Sequence, residues 1–212
     1  MRWFRRRPEP EPEPVDDRDP GESAVEFWQG WVDFLPTLSA ALGDNELHRV
    51  ENDLCELVAR LHPDLHFSVE RGQRAIYALV LSGQEDPRLR PYTDAWRAVA
   101  PPEDAIWEFH DSVPPVPDPT QVTVNLGTKR IPLADVRVAV HVDGDVVDVT
   151  VYHPMLAELE PAAREALTYL PLDATLGERV AGERLRRVES VDVEPEGAVG
   201  LLRLREIVGG LG

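Results

Sequence analysis

The segment that most constrains this chain is Val136 to Val151, where V-R-V-A-V-H-V leads to Asp143-Gly144 and returns as V-V-D-V-T-V. Asp143 and Gly144 suit the two central positions of a type I′ turn, which demand positive φ. The pattern therefore predicts a hairpin pairing Val140 with Val147, Val138 with Val149 and Val136 with Val151. All six valines then share one face. The opposite face carries Arg137, Ala139 and His141 against Thr150, Asp148 and Val146, as expected of an antiparallel sheet covered on one side only.

Helical spacing dominates the region before it. Ser23 reads as an N-cap, followed by Ala24, Trp28, Trp31, Leu35, Leu38 and Leu42, with Phe27 and Phe34 widening the stripe and Pro36 expected to kink or divide the helix. Gly43 ends it, and Asp44 is expected to cap a second helix carrying Leu47, Val50, Leu54, Leu57, Val58 and Leu61 up to Pro63. Strand alternation follows at Leu65, Phe67 and Val69, then the apolar run Ala75 to Leu81. A third helix is predicted around Leu89, Tyr92, Trp96 and Val99, and a strand over Ile106 to His110. A short hairpin is expected in V-T-V-N-L-G-T-K-R-I. Beyond the valine hairpin the pattern gives a helix from Pro161 to Leu170, a less regular stretch, a strand near Val188 to Val193 and a helix around Ala198 to Val208. Strands grouped between helices predict an α+β fold: a mainly antiparallel sheet with helices packed on one face, in a single domain over 23–212. Residues 1–22 are expected to be a disordered tail, because P-E-P-E-P-E-P and the acids after it cannot build a core.

Charge bounds the partners. The chain has 212 residues, 22 basic and 39 acidic, for a net −17. The first 22 residues hold five arginines and seven acids, so about −15 remains on residues 23–212. Such a surface repels phosphates, so no nucleic-acid partner is expected. It favours a basic protein partner, in the manner of an immunity protein masking a cationic toxin. Cys55 is the lone cysteine, which excludes an internal disulfide and a Cys-rich zinc site. The basic start runs into proline and glutamate in place of an apolar segment, and a cytoplasmic location is expected. Arg2, Trp3, Phe4, Arg5, Arg6 and Arg7 together form a basic-aromatic head suited to weak, reversible contact with an anionic membrane surface.

Candidate chemistry is sparse. His62 and His66 have the spacing of helical metal ligands, but Pro63 between them removes the shared face. No metal or cofactor is expected. Ser82 before Gly83 lacks a G-x-S-x-G elbow, and Cys55 is expected to be a small buried side chain. Trp28, Trp31, Trp96 and Trp107 lie in apolar segments and predict an aromatic cluster, with Trp31 and Trp96 the candidates for a partner-binding anchor. The series W-x-x-F at Trp31–Phe34, L-x-F at Leu65–Phe67, L-S-G at Leu81–Gly83, A-P then W-x-F at Ala100, Pro101 and Trp107–Phe109, and L-G-E at Leu176–Glu178 resembles a group of uncharacterised bacterial α+β proteins. That resemblance implies the fold and no activity. The expected function is a non-enzymatic interaction or regulatory domain; the alternative is a hydrolase using His110, His141 and neighbouring carboxylates.

Overall fold

The structure, a computed structural model, describes residues 18–84 and 86–211. The basic-aromatic head and its proline-glutamate spacer lie outside the described residues. The chain begins with α1 (Pro20–Gly43), α2 (Glu51–Leu61), the strands β1 (His66–Arg71) and β2 (Tyr77–Ser82), α3 (Arg90–Ala98) and β3 (Trp107–His110). A small hairpin, β4 (Thr123–Leu126) and β5 (Lys129–Pro132), leads to β6 (Arg137–Asp143) and β7 (Val146–Tyr152). There follow α4 (Pro161–Leu176), α5 (Glu178–Arg184), β8 (Leu185–Val191) and α6 (Leu201–Gly209).

The fold is α+β, as expected, with three sheets where one was predicted. The two larger sheets share one topology. β1 and β2 form an antiparallel hairpin, and α3 carries the chain to β3, which lies parallel to β2. In the same way β6 and β7 pair antiparallel, and α4 with α5 leads to β8 parallel to β7. A ββαβ arrangement thus occurs twice, although no repeat is visible in the sequence.

Each of the two larger sheets has its own apolar cluster. The first joins Phe27, Trp28 and Trp31 of α1, Leu54 and Leu61 of α2 and Trp96 of α3 to Leu79, Leu81, Trp107 and Phe109 of the sheet. The second joins Val138, Val147, Val149 and Val151 to Leu167 and Leu172 of α4 and Leu204 of α6. The segment 111–118 links them, held largely by its main chain. Val113 N–H donates to the Glu178 carboxylate and the Val113 carbonyl accepts from Glu178 N–H, and Val116 N–H donates to the Ala174 carbonyl. Arg205 donates to the carbonyls of Val116, Pro117 and Thr175 at 2.6, 2.9 and 2.7 Å.

Several expectations are corrected. The valine hairpin forms, but Val138 faces Val151, Val140 faces Val149 and Val142 faces Val147, two residues away from the predicted register. The loop is Gly144-Asp145, with positive φ at Gly144 (66°) and not at Asp145, the pattern of a type II′ turn. A slip of two keeps every side chain on its face, so the valine face is buried as predicted except toward the tip, where Val142 is 44% exposed. Helix α1 starts before Ser23: Asp19 accepts the Glu22 N–H and Pro20 occupies the first turn, where its missing N–H costs nothing. Pro36 does not divide α1, and the carbonyl it deprives of a donor belongs to exposed Val32. Asp44 closes α1 instead of opening α2, which begins after a 3-10 turn at Leu47–Arg49. Helix α4 continues through Pro171 to Leu176, six residues past its predicted end, and together with α5 (Glu178–Arg184) it fills most of the stretch 171–187 read as irregular.

Candidate functional site

Helix α1 carries two stripes. One buries Ala24, Phe27, Trp28, Trp31 and Leu38 in the first cluster. The other, Glu22, Val25, Glu26, Gln29, Val32 and Asp33, faces solvent. Val25 is 46% and Val32 65% exposed, and Val99 at the end of α3 adds a third valine at 48%. Between the two helices lies an open groove of about 570 Å³ lined by Val25, Trp28, Gln29, Val32, Asp33 and Val99. Its floor is braced. Trp28 stacks on Trp96 with ring centroids 5.0 Å apart, and its Nε1–H donates to the Trp96 carbonyl at 2.8 Å, tying α1 to α3.

The electrostatics of this face are one-sided. Helix α1 contains Glu22, Glu26 and Asp33 and not one lysine or arginine. All three acids lie on the exposed stripe beside the valines, and among the described residues none of them is paired with a cation. Apolar side chains rimmed by unneutralised carboxylates are the complement of a segment that combines cations with apolar groups.

The residues predicted as anchors are elsewhere. Trp31 and Trp96 are 2% and 0% exposed inside the aromatic cluster, with Trp31 edge-on to Trp107 at 5.0 Å. Neither presents a surface to a partner, and the apolar contact falls instead to the valines above Trp28. Cys55 is exposed, contrary to expectation, because the buried side of α2 is taken by Leu54, Leu57, Val58 and Leu61. His62 is buried in extended geometry beside Tyr92, and His66 is exposed at the start of β1, so the two share no face.

His110 and His141 do not converge. His110 Nε2 lies 3.1 Å from Glu108 Oε1 in the first sheet. Glu108 is 1% exposed and accepts the consecutive N–H groups of Gln73, Arg74 and Ala75, closing the β1–β2 turn. Burial pushes its carboxyl up, but those amides and His110 outweigh it and bring the pKa down to about 2. His141 stands opposite Asp148 on the second sheet, in a shallow depression of about 280 Å³ with Thr150, Arg187 and Glu189. Asp148 is committed to Arg186, whose hydrogen bonds hold its carboxyl below the usual range. Ser82 is buried; its hydroxyl donates to Glu178 at 2.9 Å and accepts from Gln84 N–H. Thus the L-S-G and L-G-E motifs meet as a structural joint between the two halves. A larger groove of about 780 Å³ runs past the β1–β2 turn, with Leu42, Leu47, Val69 and Tyr77 in its floor and charges of both signs, Glu70, Arg71 and Arg74, on its rim. Among the described residues no histidine lines it. Among the described residues no group of three His, Cys, Asp or Glu side chains could hold a metal ion, and no helix is long and apolar enough to cross a membrane.

Compared with known proteins, the chain has no significant match to a protein-family model, a curated protein or a solved structure. Its site is therefore read from its own chemistry. The sequence reading does not single out the groove valines, yet it carries a signal for them: Val25 and Val32 sit seven residues apart on a helix whose buried stripe they do not join.

Proposed function

We propose that this chain is a protein-interaction domain that receives a cationic, amphipathic segment of a partner protein in the groove between α1 and α3. The observation that carries the reading is the outer stripe of α1, where half-exposed valines alternate with carboxylates and no base is present. Covering Val25, Val32 and Val99 contributes on the order of 3 kcal/mol of hydrophobic free energy. The net charge of −17 steers a basic partner and sets the encounter rate. Sequestering a cationic protein, as an immunity protein does, is the role such a surface suits. The partner is sought in the cytoplasm. The hydrolase alternative has less support, because its two histidines lie in different sheets, His110 beside Glu108 and His141 opposite Asp148.

The test uses a synthetic amphipathic helix of leucine and arginine, titrated against the full chain and against Val32→Glu. The substitution adds negative charge, so attraction by charge alone would strengthen. Groove binding predicts at least a tenfold loss of affinity. Equal or tighter binding by the variant would refute the groove as the site.

A further inference from the structure

The chain itself contains a segment of the chemistry this groove fits. Residues 2–7 read Arg-Trp-Phe-Arg-Arg-Arg, four cations around two aromatics, in a protein whose remaining surface is strongly acidic. We infer that this head docks in the α1–α3 groove of its own chain, where it competes with a partner for the site. The inference rests on the groove reading above and goes further by naming an occupant and a regulatory consequence.

Three observations support it. The first is charge: Asp33 in the groove and Glu22 and Glu26 on the same exposed stripe of α1 are unneutralised among the described residues, and the head supplies the arginines. The second is where the described chain starts. The Arg18 carbonyl accepts a hydrogen bond from Tyr92 Oη at 3.1 Å, and the Arg18 guanidinium reaches the carbonyls of Ala59 and Arg60. Tyr92 lies in the first turn of α3 and Val99 just past its end, so the chain enters beside the same α1–α3 pair that forms the groove. The third is reach. Ten residues separate Arg7 from Arg18, and at about 3.1 Å each they span up to roughly 30 Å. Val25 and Asp33 lie five and thirteen residues beyond Pro20, or about 8 and 20 Å along the helix. The tether therefore covers the whole groove if the head turns back along α1.

Tethering makes modest affinity sufficient. A linker of this length gives an effective concentration of about 1 mM, so a contact with a dissociation constant of about 0.3 mM is occupied about three quarters of the time. A partner must displace the head, and without the advantage of a tether it must bind more tightly than the head does.

The experiment follows trypsin cleavage after Arg5 and Arg6 in the full chain by mass spectrometry. Docking predicts that Val32→Glu, and separately a Trp3→Ala, Phe4→Ala double variant, speed this cleavage at least threefold. The double variant should also bind the leucine-arginine peptide severalfold more tightly than the wild type, because the internal competitor is gone. Cleavage at the same rate in wild type and Val32→Glu overturns the inference. So does protection of Arg5 and Arg6 that appears only when anionic phospholipid vesicles are added, which assigns the head to a membrane surface. Neither result touches the groove reading, which stands or falls on peptide affinity in the Val32→Glu chain.

Discussion

Replacing Glu108 by glutamine keeps the shape of a side chain that is 1% exposed but removes the charge that three consecutive N–H groups surround. Urea unfolding of Glu108→Gln is expected to show a loss of about 3 kcal/mol, because those donors then share one neutral acceptor. The pH dependence follows from the same contacts. With its pKa lowered from 4.5 to about 2 in the fold, Glu108 contributes stability that is complete above pH 4.5. That contribution, on the order of 3 kcal/mol, disappears as pH falls toward 2. The glutamine variant should lack this part of the acid limb. His153 acts in the neighbouring window. It is 2% exposed, its Nδ1 accepts the Met155 N–H at 3.1 Å, and burial lowers its pKa against the opposing pull of the Pro132 carbonyl and Asp135. Below about pH 6.5 the unfolded chain takes up a proton that the folded chain resists, so stability declines as pH falls through that value. His153→Asn keeps an acceptor for Met155 and should flatten the stability profile between pH 7 and 5. Neither residue was legible in the sequence. Glu108 is one of 39 acids, and only the β1–β2 turn folding over it, 33 to 35 residues away, singles it out.

Gly177 is the point where two elements are set against each other. It has φ of 76° between α4 and α5, and a Cβ there would lie 2.7 Å from Pro115 Cδ and 2.8 Å from the Pro115 nitrogen. Gly177→Ala is expected to cost more than about 2 kcal/mol, as strain and collision add; a shift of the urea midpoint measures it. The elements themselves were largely legible, because period and burial agree: the inner stripe of α1, the tryptophan cluster and both faces of the valine hairpin follow from spacing alone. Register was not. Asp143-Gly144 and Gly144-Asp145 are both acceptable two-residue turns, and a choice between them moves the pairing by two without turning any valine outward. From sequence, Pro171 reads as a terminator and shortens the predicted α4. The fold buries Pro171 and carries on, with Thr175 Oγ donating to the Pro171 carbonyl. The groove is illegible for a related reason: the core consumes the tryptophans, the strongest apolar signal in the sequence, while the valines left over on α1 and at the end of α3 form the accessible patch.

At the scale of the molecule, two apolar clusters are joined by polar contacts. Arg179 bridges Asp94 of α3 and Asp111 of the linking segment at 2.6 and 2.8 Å, and Glu178 holds Ser82 and Val113. Polar junctions of this kind permit relative movement and weaken with salt. All four tryptophans of the described chain, Trp28, Trp31, Trp96 and Trp107, belong to the first cluster, so their fluorescence reports that half while circular dichroism reports both. For Arg179→Gln in high salt the two unfolding curves are expected to separate; in the wild type at low salt they should coincide, and coincidence in both would show that the halves remain coupled without the bridge. The route of the chain between the halves has a historical consequence. Because Arg205, Glu178 and Ala174 grip the 113–117 segment through carbonyls and amides, its side chains carry little of the attachment. Descendants of this protein should therefore let those linking residues drift while Gly177, Glu178 and Arg205 stay invariant, leaving a short hypervariable stretch in the middle of an otherwise restrained lineage.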